Sequence, residues 1–259
     1  MPREILLARE GDIATVTLNN PERLNALNLA MWKRLGEAML ELDADQRLRC
    51  VVVRGAGDKA FAAGADISEF ENTRNSSKAA RKYGEQLETT MEAIALCRHP
   101  TVAMIHGACV GGGMEIVSQC DLRICGASSR FGIPINKLGL VVGYGELAGL
   151  IDLVGRAAAM EILLEGRILS AAEAKDMGLV NRVVADDKVE DEALAAARRI
   201  AAGAPLVARW HKKFARRLAQ PRPVTKAERN EAYACYDTAD FREGVAAFLE
   251  KRKPEFKGK

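Results

Sequence analysis

The sequence predicts an α/β fold, with a core of strands and helices over residues 1–190 and a helical region over 191–259. Three observations carry that prediction. Strand-type and helix-type runs alternate through the first half of the chain. Arg49–Arg54 (RCVVVR) and Thr101–Ile105 are unbroken apolar runs, the pattern of strands buried on both faces. Beyond about residue 144 the strand-type runs thin out and the apolar period becomes helical.

Taken in order, Ile5–Ala8 and Ile13–Leu18 are short strands separated by the turn signal Glu10-Gly11-Asp12. Asn28 suits the N-cap of a helix with Leu29, Trp32, Leu35, Met39 and Leu42 along one face. The RCVVVR strand follows, then a helix over Ala79–Leu96 and the Thr101–Ile105 strand. Gly111–Gly113 turns into a helix ending near Cys120, and Leu122–Cys125 is again a strand. Ser170-Ala-Ala-Glu173 has the spacing of a capping box and Gly178 suits a helix C-terminus. Leu179–Val184 reads as the last strand. Asp186–Glu192, with five acids in seven residues, marks a domain boundary or a helix start. Thr225–Glu228 and Asp240–Glu243 are further helix starts.

Composition narrows the function classes. The chain has 259 residues, 48% hydrophobic and 28% charged, with 38 Lys plus Arg against 35 Asp plus Glu. These are the proportions of an ordinary soluble globular protein, and a chain of this length buries about three quarters of its unfolded surface without a metal or disulfide to hold it. A net charge of +3 demands neither a nucleic-acid nor a membrane partner. The Met1–Glu4 start runs directly into alternating residues, so no export signal is expected. The longest uncharged stretch, His99–Met114, is shorter than the roughly 20 residues of a membrane helix. Six cysteines without a CxxC pair are expected as reduced thiols in a cytoplasmic compartment. Cys120 and Cys125 lack zinc-ligand spacing, and no metal site is expected.

Phe61–Ile67 (FAAGADI) and Gly107–Glu115 (GACVGGGME) hold the chemistry. Both put glycines where a strand ends and a helix begins, which leaves backbone N–H groups unpaired at a positive dipole end. Two such groups on one carbonyl oxygen form an oxyanion hole. The glycine run is not a phosphate loop, since no Lys-Ser/Thr follows, and it misses the dinucleotide fingerprint.

FAAGADI, GGGME with Cys120-Asp121, Phe131-Gly132 and Ala247–Pro254 (AFLEKRKP) occur in one order along the chain. Together they resemble the crotonase superfamily, the enoyl-CoA hydratase/isomerase group, from about Val16 to Phe256. Pro21–Leu27 (PERLNAL) adds to the resemblance. It implies a crotonase-like spiral of ββα units whose C-terminal helical region associates into a homo-trimer or hexamer. It implies an acyl-CoA thioester substrate and an enolate held in an oxyanion hole, with no cofactor beyond the coenzyme A of the substrate. By the resemblance, the amides of Ala65 and Gly112 are the oxyanion donors and Glu115 is the catalytic carboxylate. Leu24 and Ala26 lie beside the CoA pocket, and Ala63, Asp66 and Ile67 line the pantetheine and acyl channel.

The chain departs from the hydratase pattern after Phe131-Gly-Ile-Pro134, where Ile135 stands in place of a second glutamate. Gly143 occupies the position where some relatives carry an aspartate. Syn addition of water needs one group to activate water and one to supply the α-proton, and isoleucine does neither. Glu146 is the nearest candidate substitute, with Tyr144 as a hydrogen-bond donor; the plain alternative is that Glu146 begins a helix and faces water. Three reactions share the Ala65/Gly112 site: hydratase-like water addition, double-bond isomerisation, and acyl-CoA decarboxylation. A non-catalytic acyl-CoA-binding relative is a further alternative.

Asn72–Lys78 reads as a polar surface loop, either a cover for the acyl tail, as the resemblance allows, or a plain solvated connector. Arg198–Arg222 holds eight basic residues and no acid. Arg209, Lys212, Lys213, Arg216 and Arg217 fall opposite Leu206, Trp210, Phe214 and Leu218 on a helix, which reads as a solvated face over a packed one. Other readings are attraction of CoA phosphates, aided by Lys251, and RNA binding. The small net charge and the lack of a stacking aromatic motif count against RNA. His99, His106 and His211 are far apart, and no nucleophilic triad is suggested.

Overall fold

A computed structural model describes residues 4–259; the Met1–Arg3 start lies outside the described residues. Strands β1 (Ile5–Glu10) and β2 (Ile13–Leu18) form an antiparallel hairpin. Its tight turn is closed at Gly11, whose φ of +60° suits glycine. Helix α1 (Leu29–Ala44) starts where Asn28 accepts the Met31 N–H at 2.7 Å. Three strand–strand–helix turns follow. The first is β3 (Cys50–Gly55), β4 (Ala60–Ala62), α2 (Phe70–Thr73) and α3 (Ser77–Leu96). The second is β5 (Thr101–Ile105), β6 (Ala108–Val110) and α4 (Gly112–Gln119), and the third β7 (Leu122–Gly126), β8 (Arg130–Gly132) and α5 (Tyr144–Glu165). Then come β9 (Leu169–Ser170), α6 (Ala171–Asp176), β10 (Arg182–Val184) and α7 (Val189–Ala201), with α8 (Pro205–Leu218), α9 (Lys226–Glu231) and α10 (Ala239–Leu249) completing the chain.

The first strand of each turn joins a six-stranded sheet, β1-β2-β3-β5-β7-β10, and the second a four-stranded sheet, β4-β6-β8-β9. This is the expected spiral of ββα units. The smaller sheet is not readable from hydrophobic period, because its strands are only two or three residues long. The last strand is also shorter than Leu179–Val184, with β10 confined to Arg182–Val184.

The RCVVVR run is buried on both faces for a visible reason. Val51 and Val53 point into the main core with Trp32, Leu35 and Ile105, while Cys50 and Val52 face Val189, Ala193, Ala196 and Ala197 of α7. Helix α7 therefore lies on the sheet, although most of it follows residue 190; the acids of Asp186–Glu192 begin it.

Helix α8 reverses the expectation of a solvated basic face. Lys212, its side chain 7% exposed, reaches Asp121 at 2.7 Å and the His99 carbonyl at 3.0 Å. Arg209 donates to the Gln46 and Leu48 carbonyls, and Arg217 pairs with Glu228. Leu218 is instead 69% exposed. Carbonyls and a carboxylate of the body engage Arg209 and Lys212, and carboxylates of α9 pair with Arg217 and the exposed Lys213, so this stripe is not a free basic surface. The expected start at Asp240 is also displaced: Thr238 caps α10, and the buried Asp240 accepts the N–H groups of Lys257 and Gly258. Among the described residues no helix is long and apolar enough to cross a membrane.

Candidate active site

Two consecutive residues in the left-handed region, Leu24 (φ +51°) and Asn25 (φ +56°), shape the PERLNAL turn. The Asn25 side chain, almost wholly buried, holds it by donating to the Ala56 and Ala60 carbonyls at 3.0 and 2.8 Å and accepting from the Asn20 N–H at 3.1 Å. The turn lies along FAAGADI. The Leu27 N–H donates to Gly64 O and the Asp66 N–H to Leu27 O, each at 2.8 Å, while the Ala63 N–H donates to Leu24 O. Successive residues of an extended segment present their N–H groups to opposite edges. With Gly64 O and Asp66 N–H turned to Leu27, the Ala65 N–H is turned away from it.

The start of α4 lies beside Gly64 of this segment. Gly64 has φ +107°, and a Cβ there would lie 3.3 Å from Val110 O and 3.8 Å from Gly112 N. Gly111, at φ +51° and ψ −120°, makes the break between β6 and α4. The Gly112 N–H then has no earlier turn of helix to donate into. Neither the Ala65 nor the Gly112 amide donates to an acceptor among the described residues. Gly112 is backed by Trp32, whose Cζ2 would lie 2.8 Å from a Cβ at that position.

Glu115 occupies the first turn of α4. It keeps some solvent contact but is surrounded by protein. Burial is the main cause that raises its carboxyl from an ordinary 4.5 to about 7; the nearby charge of Glu146 adds to the rise and Arg74 opposes it. The structure thus brings Glu146, half-buried in the first turn of α5, to the same site. Its side chain folds back over Gly143, where a Cβ would collide with it. Glu146 begins a helix, as the plain reading has it, and is half-buried within electrostatic reach of Glu115. Ile135 packs against the core.

The other sequence candidates divide. Ala63 and Ala26 lie half-buried along the paired turn, while Leu24 and Ile67 are 41% and 60% exposed at its rim. Asp66 uses its carboxylate structurally. It accepts from Ser68 N and Oγ and pairs with Arg23 at 2.6 Å, and these contacts, Ser68 first, lower its pKa. Tyr144 is 93% exposed and makes no side-chain hydrogen bond among the described residues. Lys251 stands exposed just past α10, away from the elements that carry the others. A cavity of about 1010 Å³ lies elsewhere, between α8, α9 and the body; it is lined by the α8 cations Arg209, Lys212, Lys213, Arg216 and Arg217 and by none of the residues of the two glycine-bearing segments.

Arg74, Tyr83 and Trp32 belong to the site and are not singled out by sequence. Asn72–Lys78 is not merely a polar loop: Ser76 caps α3, and the Arg74 guanidinium stacks on Phe70 and Tyr83, 4.4 and 3.7 Å from the ring centroids. Trp32 and Tyr83 read as helix-face core residues. What marks them is that the Trp32 indole N–H and the Arg74 guanidinium both come to the Tyr83 hydroxyl, a meeting that only coordinates reveal.

A mostly parallel spiral of this kind, with two free amides beside a glutamate pair, defines a class. The family model for enoyl-CoA hydratase/isomerase matches residues 8–259, and the chain belongs to that family. It is 38% identical over 258 residues to a probable enoyl-CoA hydratase of Rhizobium meliloti, covering 98% of this chain and 97% of that one. It is 35% identical to a short-chain-enoyl-CoA hydratase of Clostridium acetobutylicum, covering 97% and 96%. A crystal structure described as an enoyl-CoA hydratase/carnithine racemase from Magnetospirillum magneticum superposes with a TM-score of 0.98 at 50% identity, covering 100% and 97%.

Proposed function

We propose that the chain is an enoyl-CoA hydratase-like enzyme, adding water to or removing it from an acyl-CoA thioester. The observation that carries this reading is the pair of unengaged amides at Ala65 and Gly112 beside two coupled carboxylates. The amides stabilise the thioester oxygen as it gains charge, with no reorganisation at the moment of reaction. Glu115 activates the water, and Glu146 supplies the second carboxylate that Ile135 does not. The coupling of Glu146 to Glu115 favours hydration over isomerisation or decarboxylation, for which a single carboxylate or none suffices.

Coenzyme A enters with the substrate along Leu24, Ala26, Ala63 and Ile67, and no metal or redox cofactor takes part. Assembly into a trimer or hexamer through the helical region is supported by Phe248 and Leu249 on α10, 83% and 74% exposed; Lys251 then serves CoA phosphates across that contact. The thiols, all free, support a cytoplasmic setting. The test is loss of the conjugated-thioester absorbance of crotonyl-CoA when protein is added, repeated with Glu115→Ala and Glu146→Ala. Turnover unaffected by either change would overturn the assignment.

A further inference from the structure

The cavity between α8, α9 and the body has a volume of about 1010 Å³, the upper end of the size of small-molecule sites. Of the five α8 cations in its wall, four are engaged: Arg209 by backbone carbonyls, Lys212 by Asp121, Lys213 by Glu231 and Arg217 by Glu228. Arg216 is not. It is half-buried, yet among the described residues its guanidinium makes no hydrogen bond and no ion pair. Desolvation is the main influence on it and lowers its pKa; the charge of Asp121 is the first to oppose that. Asp121 is already bonded to Lys212 and to the Thr101 N–H and hydroxyl.

The same wall is crowded with positive charge. Eight of its lining side chains are cations and three are carboxylates. Desolvation first, and the charge of Arg98 next, lower the pKa of Arg209, whose buried Nε has no hydrogen-bond partner. A guanidinium only donates, so whatever completes this wall brings acceptor oxygens and negative charge. The rest of the wall is apolar. Leu206, Trp210 and Phe214 line it, and Leu96 and Tyr233 do so while remaining 70% and 66% exposed. A small free anion leaves that surface in water, whereas an anion that carries an apolar chain covers it. Phe248 and Leu249, offered above for assembly, line a different cavity that shares no residue with this one.

We propose that this cavity is a binding site for a single-chain anionic amphiphile, with a carboxylate or phosphate head on Arg216 and its chain along Leu206, Trp210 and Phe214. None of the residues of the two glycine-bearing segments lines it. The site therefore stands or falls independently of the acyl-CoA reading.

Calorimetric titration with decanoate, decyl phosphate, 1-decanol and acetate tests the site without depending on turnover. Decanoate and decyl phosphate are expected to bind one per chain, about 10–100-fold more tightly than decanol, which lacks the charge, or acetate, which lacks the chain. Arg216→Met should weaken both amphiphiles about 10-fold or more, and Arg216→Lys, which keeps the charge but not the fork, should restore part of the loss. Saturating butyryl-CoA should leave decanoate binding within about 2-fold, as expected of sites that share no residues. Equal binding of decanoate and decanol, undiminished binding by Arg216→Met, or displacement of decanoate by butyryl-CoA overturns the proposal. Failure of both amphiphiles to bind overturns it as well, and loss of oligomer mass for Arg216→Glu in sedimentation would then assign the cavity to a contact between copies of the chain.

Discussion

Glu146→Gln is the sharpest probe of the two-carboxylate site. The Glu115 carboxyl lies at about 7, raised by burial first and by the charge of Glu146 second, with Arg74 opposing. With the ionised form as the water-activating base, about half is active at pH 7 and about 1% at pH 5, so kcat/KM should fall about 50-fold between them. Glutamine keeps the size of Glu146 and removes its charge. The acid limb should then move to lower pH, stopping short of 4.5 because burial remains. Turnover should also drop by about 10²–10⁴, the usual contribution of a general acid or base. Initial rates of crotonyl-CoA hydration from about pH 5 to pH 9, for wild type and variant, read both effects. An unmoved limb with intact turnover removes Glu146 from the site; a limb moved upward contradicts the coupling. Stability gives an independent check. A folded-state pKa raised above its unfolded value stabilises the protonated protein, so this contribution is present below about 4.5 and lost as pH rises through about 7. Glu115→Gln should therefore gain stability relative to wild type above pH 7, by up to about 3 kcal/mol, while losing hydration.

Three further outcomes are expected. Gly112→Ala puts a Cβ 2.8 Å from Trp32 Cζ2; displacing the amide should cost about 10²–10³ in rate, and a wild-type rate would exclude it as an oxyanion donor. Asn25→Ala removes three hydrogen bonds, one buried and two part-buried, and leaves alanine at φ +56°. It should cost about 3 kcal/mol, or about 6–12 °C in Tm by calorimetry, and an unchanged Tm would mean the turn is held otherwise. Lys212→Met should cost about 2 kcal/mol in denaturant unfolding, below the roughly 3–5 of a fully buried pair, because the Asp121 side chain retains 31% exposure. Recovery on adding Asp121→Asn would tie the loss to the stranded carboxylate.

Elements with a strong local signal are legible in the sequence. The caps at Asn28, Ser170 and Thr225 form as their spacing predicts, because a side chain two or three residues from an unpaired N–H needs nothing from the rest of the fold. The strands of the larger sheet are legible as well, being five or six residues long over β1–β7. The smaller sheet is not, although it supports both oxyanion segments. Three-residue strands have no period, and β4, β6 and β8 exist through parallel pairing across 20 to 50 residues of chain. The polarity of α8 was misleading for a related reason. Helical period identifies two faces, but which one turns inward depends on distant acceptors, here Asp121 and the carbonyls of Gln46, Leu48 and His99. Glu146 shows the same limit, since its nearness to Glu115 depends on how α5 meets α4.

The site departs from local rules in several ways that belong together. The left-handed Leu24 and Asn25 and the deeply surrounded Glu115 belong to the segments of one site. Each costs folding free energy on its own. A scaffold tolerates the set when the remainder overdetermines it: Asn25 fixes the turn, the Leu27–Gly64 and Asp66–Leu27 bonds fix the segment beside it, and α7 closes the opposite face of the sheet. The consequence is directional. Substitutions that relieve the strain, such as Glu115→Gln, raise stability and remove function, whereas substitutions in the supporting bonds, such as Asn25→Ala, lower both. An activity loss without a stability loss thus separates the residues of the cleft from the residues that hold it.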